Sequence, residues 1–425
     1  MRCVRLYPLF AIALLVTATG ASSTCVVQER VINLSPATID SHGNMYALDR
    51  SDSGWGPLRK FDSSGLPVWV QPWPPTPLPQ PPRPGGRSTL AVDRSGNVYV
   101  TVDGISEIVT VKHDAQGVRL WEARTIGDRD WTMGSGALMA IDDESGAVYV
   151  IGMRTLASQE RSVQFENVIE VITEVTKAIV TIKYGPDGRQ EWAAQYGSGI
   201  GASANAIAVG PGGSVAVAGC PGYENCVLLK YDAQGALLWA QPSPASEFLR
   251  IDAGGAVYAG GSGPVRKYDA SGSLMWSGLA AAYGIDDMEL DGASNLYVGA
   301  GLDTAKYGPS GELLWSIRVP GNPGPGTGSQ LALDGAGNVY ASAYLFKWGC
   351  SGVAVGYSAS SIATAKYDAN GAQMWLMTYP EGEACLLPPA IVYDLVVDER
   401  GNVYVEYGSA YSGSGVIKYA QPGGP

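Results

Sequence analysis

The sequence predicts an all-β fold made of repeated four-stranded antiparallel sheets, a β-propeller, and three observations carry that prediction. Two phrases alternate along nearly the whole chain. Gly and Pro are abundant, at 56 and 27 of 425 residues, while only 16% of residues are charged. Tyr and Trp number 23 and 11 against five Phe, and these aromatic side chains suit a pleated surface. An ordinary chain is about one quarter charged, so long charged helices and coiled coils are excluded. The 46% hydrophobic content argues against disorder throughout.

The first phrase is an apolar triplet, Asp, a Gly-containing turn and an apolar-Tyr-apolar strand. Clear copies are Leu90-Ala91-Val92-Asp93 running to Val98-Tyr99-Val100, and Leu331-Ala332-Leu333-Asp334 running to Val339-Tyr340. Others centre on Tyr46, Tyr149, Ala216, Tyr258, Tyr297 and Tyr404, which makes eight copies. The second phrase is apolar residues, Lys, an aromatic ring, a turn with Gly, and Trp four residues after that Gly. It reaches Trp69, Trp121, Trp192, Trp239, Trp276, Trp315 and Trp375, and an eighth copy begins at Lys418-Tyr419. Each phrase reads as two short strands joined by a tight turn, because Asp-x-x-Gly supplies a turn residue and a position tolerant of positive φ.

Two phrases make four strands, and the unit length runs from 37 residues (Trp239 to Trp276) to 71 (Trp121 to Trp192). Four-stranded units of this period are the signature of propeller blades; the 3.6-residue period of a helical solenoid is absent. The expected architecture is a single eight-bladed propeller over residues 22–425. The last copy lacks its Trp-bearing fourth strand, and Cys25 to Ile32 is a spare strand that can complete it. Closure of this kind removes exposed edges. Seven blades is the alternative, with Gly210-Pro211-Gly212-Gly213 marking the copy that would be degenerate.

The Asp-x-x-Gly-Asn-x-Tyr and Lys-Tyr-Asp-x-x-Gly-x-x-x-Trp phrases resemble the repeats of bacterial secreted β-propellers. They are more distantly similar to the repeats of pyrroloquinoline-quinone propellers, whose blades end in a comparable Gly-to-Trp phrase. The resemblance covers about residues 25–420. It implies the fold, and propellers host binding, scaffolding and catalysis alike.

Residues 1–21 carry Arg2 and Arg5, an apolar run from Leu6 to Val16, and small residues up to Ala21. This is the pattern of a secretory signal peptide, so a secreted or periplasmic chain is expected. The apolar run is too short to span a bilayer, and no later run is apolar enough to do so. Ser22-Ser23-Thr24 precede Cys25 without the Leu-like residue of bacterial lipoprotein sites, so no lipid anchor is read there. The net charge of −12 and the scattered Arg leave no phosphate-tracking stripe, so no nucleic-acid partner is expected. A monomer is expected.

The recurring Trp read as packing between neighbouring blades rather than as a ligand stack. Eight of the ten Lys belong to the second phrase, at Lys60, Lys112, Lys183, Lys230, Lys267, Lys306, Lys366 and Lys418. Their expected partners are the Asp of the first phrase. Both Gly-containing turns fall at one end of a blade. The second-to-third-strand loops and the connections between blades fall at the other, and they hold nearly all the length variation: Gln71 to Arg87, Leu156 to Lys177, Gly197 to Asn205, Pro320 to Gln330, Leu345 to Ser361 and Pro380 to Val392. Variable loops on a rigid scaffold are where binding residues gather.

Aromatic rings outside the repeat fall in this second set: Trp55, Trp73, Trp131, Tyr223, Tyr344, Trp348 and Tyr357. They form the candidate ligand-binding set, suited to sugar rings or protein partners. The competing reading is that they pin long loops as small local cores. Cys220 with Cys226 and Cys350 with Cys385 are expected disulfides in an exported chain, and Cys25 is left odd.

Catalytic groups are sparse. His42 and His113 occupy repeat positions, and no Gly-x-Ser-x-Gly occurs. The acidic runs Asp128-Arg129-Asp130 and Asp142-Asp143-Glu144 read as solvated turns or, alternatively, as paired carboxylates of a glycosidase. No catalytic residue, metal ligand or cofactor is therefore assigned, with Ca²⁺ and pyrroloquinoline quinone left open. The expected function is non-enzymatic binding of a protein or glycan through the loop-bearing end. The alternative is a quinone-dependent dehydrogenase or another carbohydrate-active enzyme, although the adjacent Cys pair of many alcohol-oxidising quinone propellers is missing.

Overall fold

Most hairpins are organised by an aspartate that closes its own turn, with Gly185, Gly210 and Gly308 in that place elsewhere. The Asp334 carboxylate accepts the backbone N–H groups of Ala336 and Asn338 at 3.0 and 2.9 Å, which holds the turn in shape. Gly337 follows at φ +79°, a region that costs a residue with a Cβ about 1–2 kcal/mol. The second phrase is closed the same way, with Asp368 accepting from Asn370 and Ala372 at 2.9 and 2.8 Å.

The computed structural model describes residues 27–32, 37–51, 54–73, 88–103, 107–126, 137–165, 168–222, 225–243, 246–278, 284–319, 327–347, 358–379, 390–409 and 413–421. The expected signal peptide at 1–21 and Cys25 lie outside these residues. The described strands form eight four-stranded antiparallel sheets. The chain is an all-β, eight-bladed β-propeller, and the Gly210–Gly213 turn belongs to a complete blade rather than a lost one.

Two compact units hold these blades, one comprising Met1–Arg50, Gly56–Trp73 and Ala281–Pro425, the other Ser51–Trp55 and Pro74–Ala280. The first holds blade 1 (Ala37–Ile39, Met45–Ser51, Gly54–Phe61, Pro67–Gln71) apart from Ser51–Trp55, and blade 6 (Asp287–Leu290, Leu296–Ala300, Asp303–Tyr307, Leu313–Arg318). It also holds blade 7 (Thr327–Leu333, Val339–Lys347, Ser358–Tyr367, Gln373–Tyr379) and blade 8 (Ala390–Val397, Val403–Ser409, Gly413–Ala420). Blade 8 takes its fourth strand from Val27–Ile32, in a register that pairs Val27 with Ala420 and Glu29 with Lys418. The N-terminal strand thus completes the last blade.

The second unit holds blade 2 (Ser88–Val92, Val98–Asp103, Glu107–His113, Arg119–Ile126) and blade 3 (Leu138–Asp142, Ala147–Phe165, Val168–Tyr184, Gln190–Ile200). Blade 4 (Ser203–Val209, Val215–Cys220, Val227–Tyr231, Leu237–Pro242) and blade 5 (Ser246–Ile251, Val257–Gly261, Val265–Tyr268, Leu274–Gly278) complete it.

The cores lie between neighbouring blades. Tyr99 and Ile108 of blade 2 pack with Val148, Val150 and Ile182 of blade 3, and Tyr340 and Ile362 of blade 7 pack with Val403 and Val405 of blade 8. Second strands are covered on both faces, so Val215–Cys220 is buried at every residue and reads as a continuous apolar run rather than an alternating one.

Two stretches expected as loops are strands instead. Leu156 to Lys177 continues the blade 3 ladder as a ribbon, in register from Ala157 opposite Thr176 to Phe165 opposite Val168. The reason lies in Val168-Ile169-Glu170-Val171-Ile172-Thr173-Glu174-Val175-Thr176, where seven of nine residues are β-branched and favour extended backbone. Most of Gly197 to Asn205 likewise belongs to Gln190–Ile200 and Ser203–Val209.

Candidate functional site

The hairpin end of most blades is built from one repeated cluster, which engages the residues that look chemically active in the sequence. In blade 7 the second oxygen of Asp334 accepts the Asn338 amide at 2.7 Å and the Tyr340 hydroxyl at 3.0 Å. The Lys366 ammonium stands 4.8 Å above the Tyr340 ring and 3.6 Å from Asp334. Burial pushes the Asp334 carboxyl up, but the Asn338 and Tyr340 hydrogen bonds and the Lys366 charge outweigh it and hold it below the ordinary carboxylate range. The same Asp-to-Tyr bond recurs from Tyr46, Tyr99, Tyr297 and Tyr404.

The expected Lys–Asp pairing appears at Lys267–Asp252, Lys306–Asp291 and Lys366–Asp334, at 3.6 to 3.8 Å. Lys183 and Lys230 make other contacts. Lys183 pairs with Glu191 at 2.9 Å and donates to the Ala233 carbonyl of blade 4 at 3.2 Å. Blade 4 has Gly210 and Ala216 where other blades have Asp and Tyr. Its Lys230 reaches across to donate to the Gly255 carbonyl of blade 5. Burial pulls the Lys230 ammonium down, against the attraction of Asp252 and Asp269.

The repeated Trp fasten one blade to the next. Trp121 lies 6.2 Å from Tyr99 of its own blade and 6.4 Å from Tyr184 of the following one, and its indole N–H donates to the Pro186 carbonyl at 2.9 Å. A Cβ on Gly188 would fall 2.6 Å from that indole, so this glycine serves both a positive φ and a close approach. Trp192, Trp239 and Trp315 repeat the indole bond, to Ala233, Ala270 and Ala369.

The other end of the blades varies from one to the next. Blade 6 joins its second and third strands through residues 301–302, and blade 5 through 262–264. Blade 4 closes this connection with the Cys220–Cys226 disulfide, while the Ser243 N–H donates to the Cys226 carbonyl at 3.0 Å. Blade 3 carries the ribbon.

The aromatic set divides. Trp73 follows the fourth strand of blade 1 and is 6% exposed, with no partner for its indole N–H among the described residues. Tyr344 lies within the second strand of blade 7, opposite Thr327 and Ile362. It is half-buried, and burial followed by the Asp286 charge raises its phenol. These two belong to different blades. Trp55 opens the third strand of blade 1, and its side chain lies outside the described residues, as do Trp131, Tyr223, Trp348, Tyr357, Cys350 and Cys385.

The acidic run Asp142-Asp143-Glu144 is a turn. Asp142 accepts the Glu144 N–H at 3.1 Å and the Ser145 hydroxyl at 2.6 Å, and Asp143 meets Arg94 at 3.5 Å in an exposed pair of small worth. Among the described residues no three His, Cys, Asp or Glu come together as a metal site would require. What sequence reasoning missed is the ribbon and the Glu191–Lys183 pair. Glu191 stands where six other fourth strands carry Val68, Leu120, Leu238, Met275, Leu314 or Met374, and that substitution was its only signal.

No protein-family model matches the chain, and no curated protein matches it. Among solved structures it is similar to the C-terminal WD40 domain of Sif2, at 12% identity over 92% of this chain and 98% of that one, with TM-score 0.57. It is also similar to the Dos1 propeller, at 10% identity over 92% of each chain, with TM-score 0.55. The shared property is the β-propeller fold. At such identities the likeness extends to architecture and not to ligands.

Proposed function

We propose that the chain is an exported binding scaffold that takes a protein or glycan partner at the end of the blades carrying the second-to-third-strand connections. The observation that carries this reading is the contrast between the two ends. At the hairpin end, Asp, Asn, Tyr and Lys are tied to one another in nearly the same way from blade to blade, which leaves little to distinguish one ligand from another. At the other end the connections range from residues 301–302 to a ribbon of 20 residues and a disulfide-closed loop. Variation confined to one end of a rigid frame is how binding surfaces are diversified. The signal-peptide pattern, the disulfide and the resemblance to secreted bacterial repeats support export.

The test is a glycan array and a protein-partner screen with the mature chain and two variants. One variant carries Arg94→Ala, Gln116→Ala and Gln234→Ala at the hairpin end. The other carries Tyr223→Ala, Trp348→Ala and Tyr357→Ala. Binding that survives the first set and falls at least about tenfold with the second, roughly what losing one or two aromatic anchors costs, supports the reading. The opposite pattern overturns it.

A further inference from the structure

We infer that the Cys220–Cys226 loop of blade 4 is a clamp on the root of the blade 3 ribbon, and that reduction of the disulfide opens it. The clamp is a property of the frame and is independent of what the blades bind. It begins with the way the ribbon is rooted. The last two rungs between the third and fourth strands of blade 3 set Lys177 opposite Gly199 and Thr176 opposite Ile200. They lie beyond a break in register, since the rung before them sets Ile179 opposite Tyr196. The fourth-strand residues past that break are Gly197, Ser198, Gly199 and Ile200, with Gly197 at φ +67°. Glycine inside a strand brings no side chain to pack and loses the most chain entropy on folding. These two rungs therefore carry little stability of their own.

What lies against them is Pro221-Gly222, the start of the disulfide loop. A Cβ on Gly197 would fall 2.6 Å from the Pro221 Cβ, and one on Gly199 would overlap the Pro221 carbonyl oxygen. The glycines that weaken the strand are thus what lets the loop seat on it. The loop rises from blade 4 at the rung of Gly219 opposite Val227. Cys220 stands opposite Ser203 of the first strand, and the Cys226 carbonyl accepts the Ser243 N–H at 3.0 Å. The Cys220–Cys226 bond ties the two stems together above that rung. Without it residues 221–225 gain the freedom of an open loop, Pro221 leaves its seat, and Gly199 and Ile200 lose their backing while the stems stay in place.

The opening is a thiol–disulfide exchange with a dithiol reductant. Cys226 is half-buried and Cys220 is 7% exposed, so a reductant thiolate reaches Cys226 first. It bonds to the Cys226 Sγ, the bond to Cys220 breaks, and Cys220 leaves as a thiolate. The second thiol of the reductant then displaces Cys226 and closes the reductant into its own disulfide. Two electrons and two protons pass to the protein, leaving two thiols.

Hydrogen–deuterium exchange of the mature chain, read by peptide mass spectrometry before and after dithiothreitol, tests the clamp. After reduction, residues 197–200 are expected to exchange about tenfold faster or more, while residues 190–195 of the same strand are unchanged. Cys220→Ala with Cys226→Ala is expected to show the fast exchange without reductant and no further change with it. Gly199→Ala, whose methyl displaces Pro221 while the disulfide stays closed, is expected to speed exchange at 197–200 in the oxidised chain. Unaltered exchange at 197–200 on reduction overturns the inference. So does a loosening that spreads evenly through blades 3 and 4, a double variant that still responds there to dithiothreitol, or a Gly199→Ala chain that exchanges as the native one does.

Discussion

His113 stands in the third strand of blade 2, where the corresponding position elsewhere holds Phe61, Tyr184, Tyr231, Tyr268, Tyr307, Tyr367 or Tyr419. It is buried, with no partner for Nδ1 among the described residues. Burial first, and the Arg119 charge second, pull its pKa down to about 4 against the attraction of Asp114. The folded chain thus holds the neutral ring, whereas the unfolded chain takes up a proton near its ordinary value of about 6.5. A lowered folded pKa gives stability that is complete above the unfolded value and is lost as pH falls from there toward the folded one. His113→Phe restores the ring of blade 1 and removes this loss. Between pH 7 and pH 5 the native chain should lose about 2 kcal/mol that the variant keeps, read from urea midpoints at the two pH values. The carboxylates act in a separate, lower window. Asp291 and Asp334 are held below the ordinary carboxylate range by their turn hydrogen bonds, which outweigh burial. Their contribution is therefore present above about pH 4 and disappears only below it, in native chain and variant alike. Equal sensitivity of both proteins between pH 7 and pH 5 would show that His113 is not the group responsible.

Strands, turns and connections show where the fold could be read ahead and where it could not. The Cys220–Cys226 connection of blade 4 is a short covalent loop, and Cys220 also accepts the Asn205 amide at 3.7 Å. Closing seven residues removes chain entropy worth about 2 kcal/mol in the unfolded state. Cys220→Ala with Cys226→Ala should lower stability by about that amount, and a reducing agent should lower the native chain by about that much more than it lowers the variant. This pairing was legible from spacing because two cysteines six apart flanked a Pro-Gly turn. The hairpins were legible for a related reason: Asp and Gly at fixed offsets specify a local turn whatever surrounds it. The ribbon was not, because Val168 to Lys177 carries no phrase and its alternation of β-branched and acidic residues lies within an insertion that reads as a loop. Trp73 was equally hidden. Its burial depends on the chain around it, which composition does not reveal.

At the scale of the whole molecule, the eighth blade shows how the count of phrases becomes a count of blades. Lys418-Tyr419 opens a second phrase that never reaches its Trp, and Val27–Ile32 fills the vacant place, with Val27 opposite Ala420, Gln28 opposite Tyr419 and Ile32 opposite Val416. Without that strand, Gly413–Ala420 would present a bare edge, and edges of this kind recruit foreign strands. The antiparallel register brings the start of Val27–Ile32 beside the end of Gly413–Ala420, where a hairpin turn joins the third and fourth strands of the other blades. A chain that starts after Ile32 should therefore melt several degrees lower and aggregate. Moving residues 27–32 to follow Gln421 through a short Asp-Ala-Asn-Gly turn should recover the native melting temperature and solubility, because the same ladder forms from one continuous hairpin. Differential scanning calorimetry and light scattering on the three chains decide the matter. If the shortened chain melts as the native one does, the N-terminal strand is an accessory and the last blade is stable with three strands. If the rearranged chain fails to recover, the pairing of Val27 with Ala420 does not by itself account for closure.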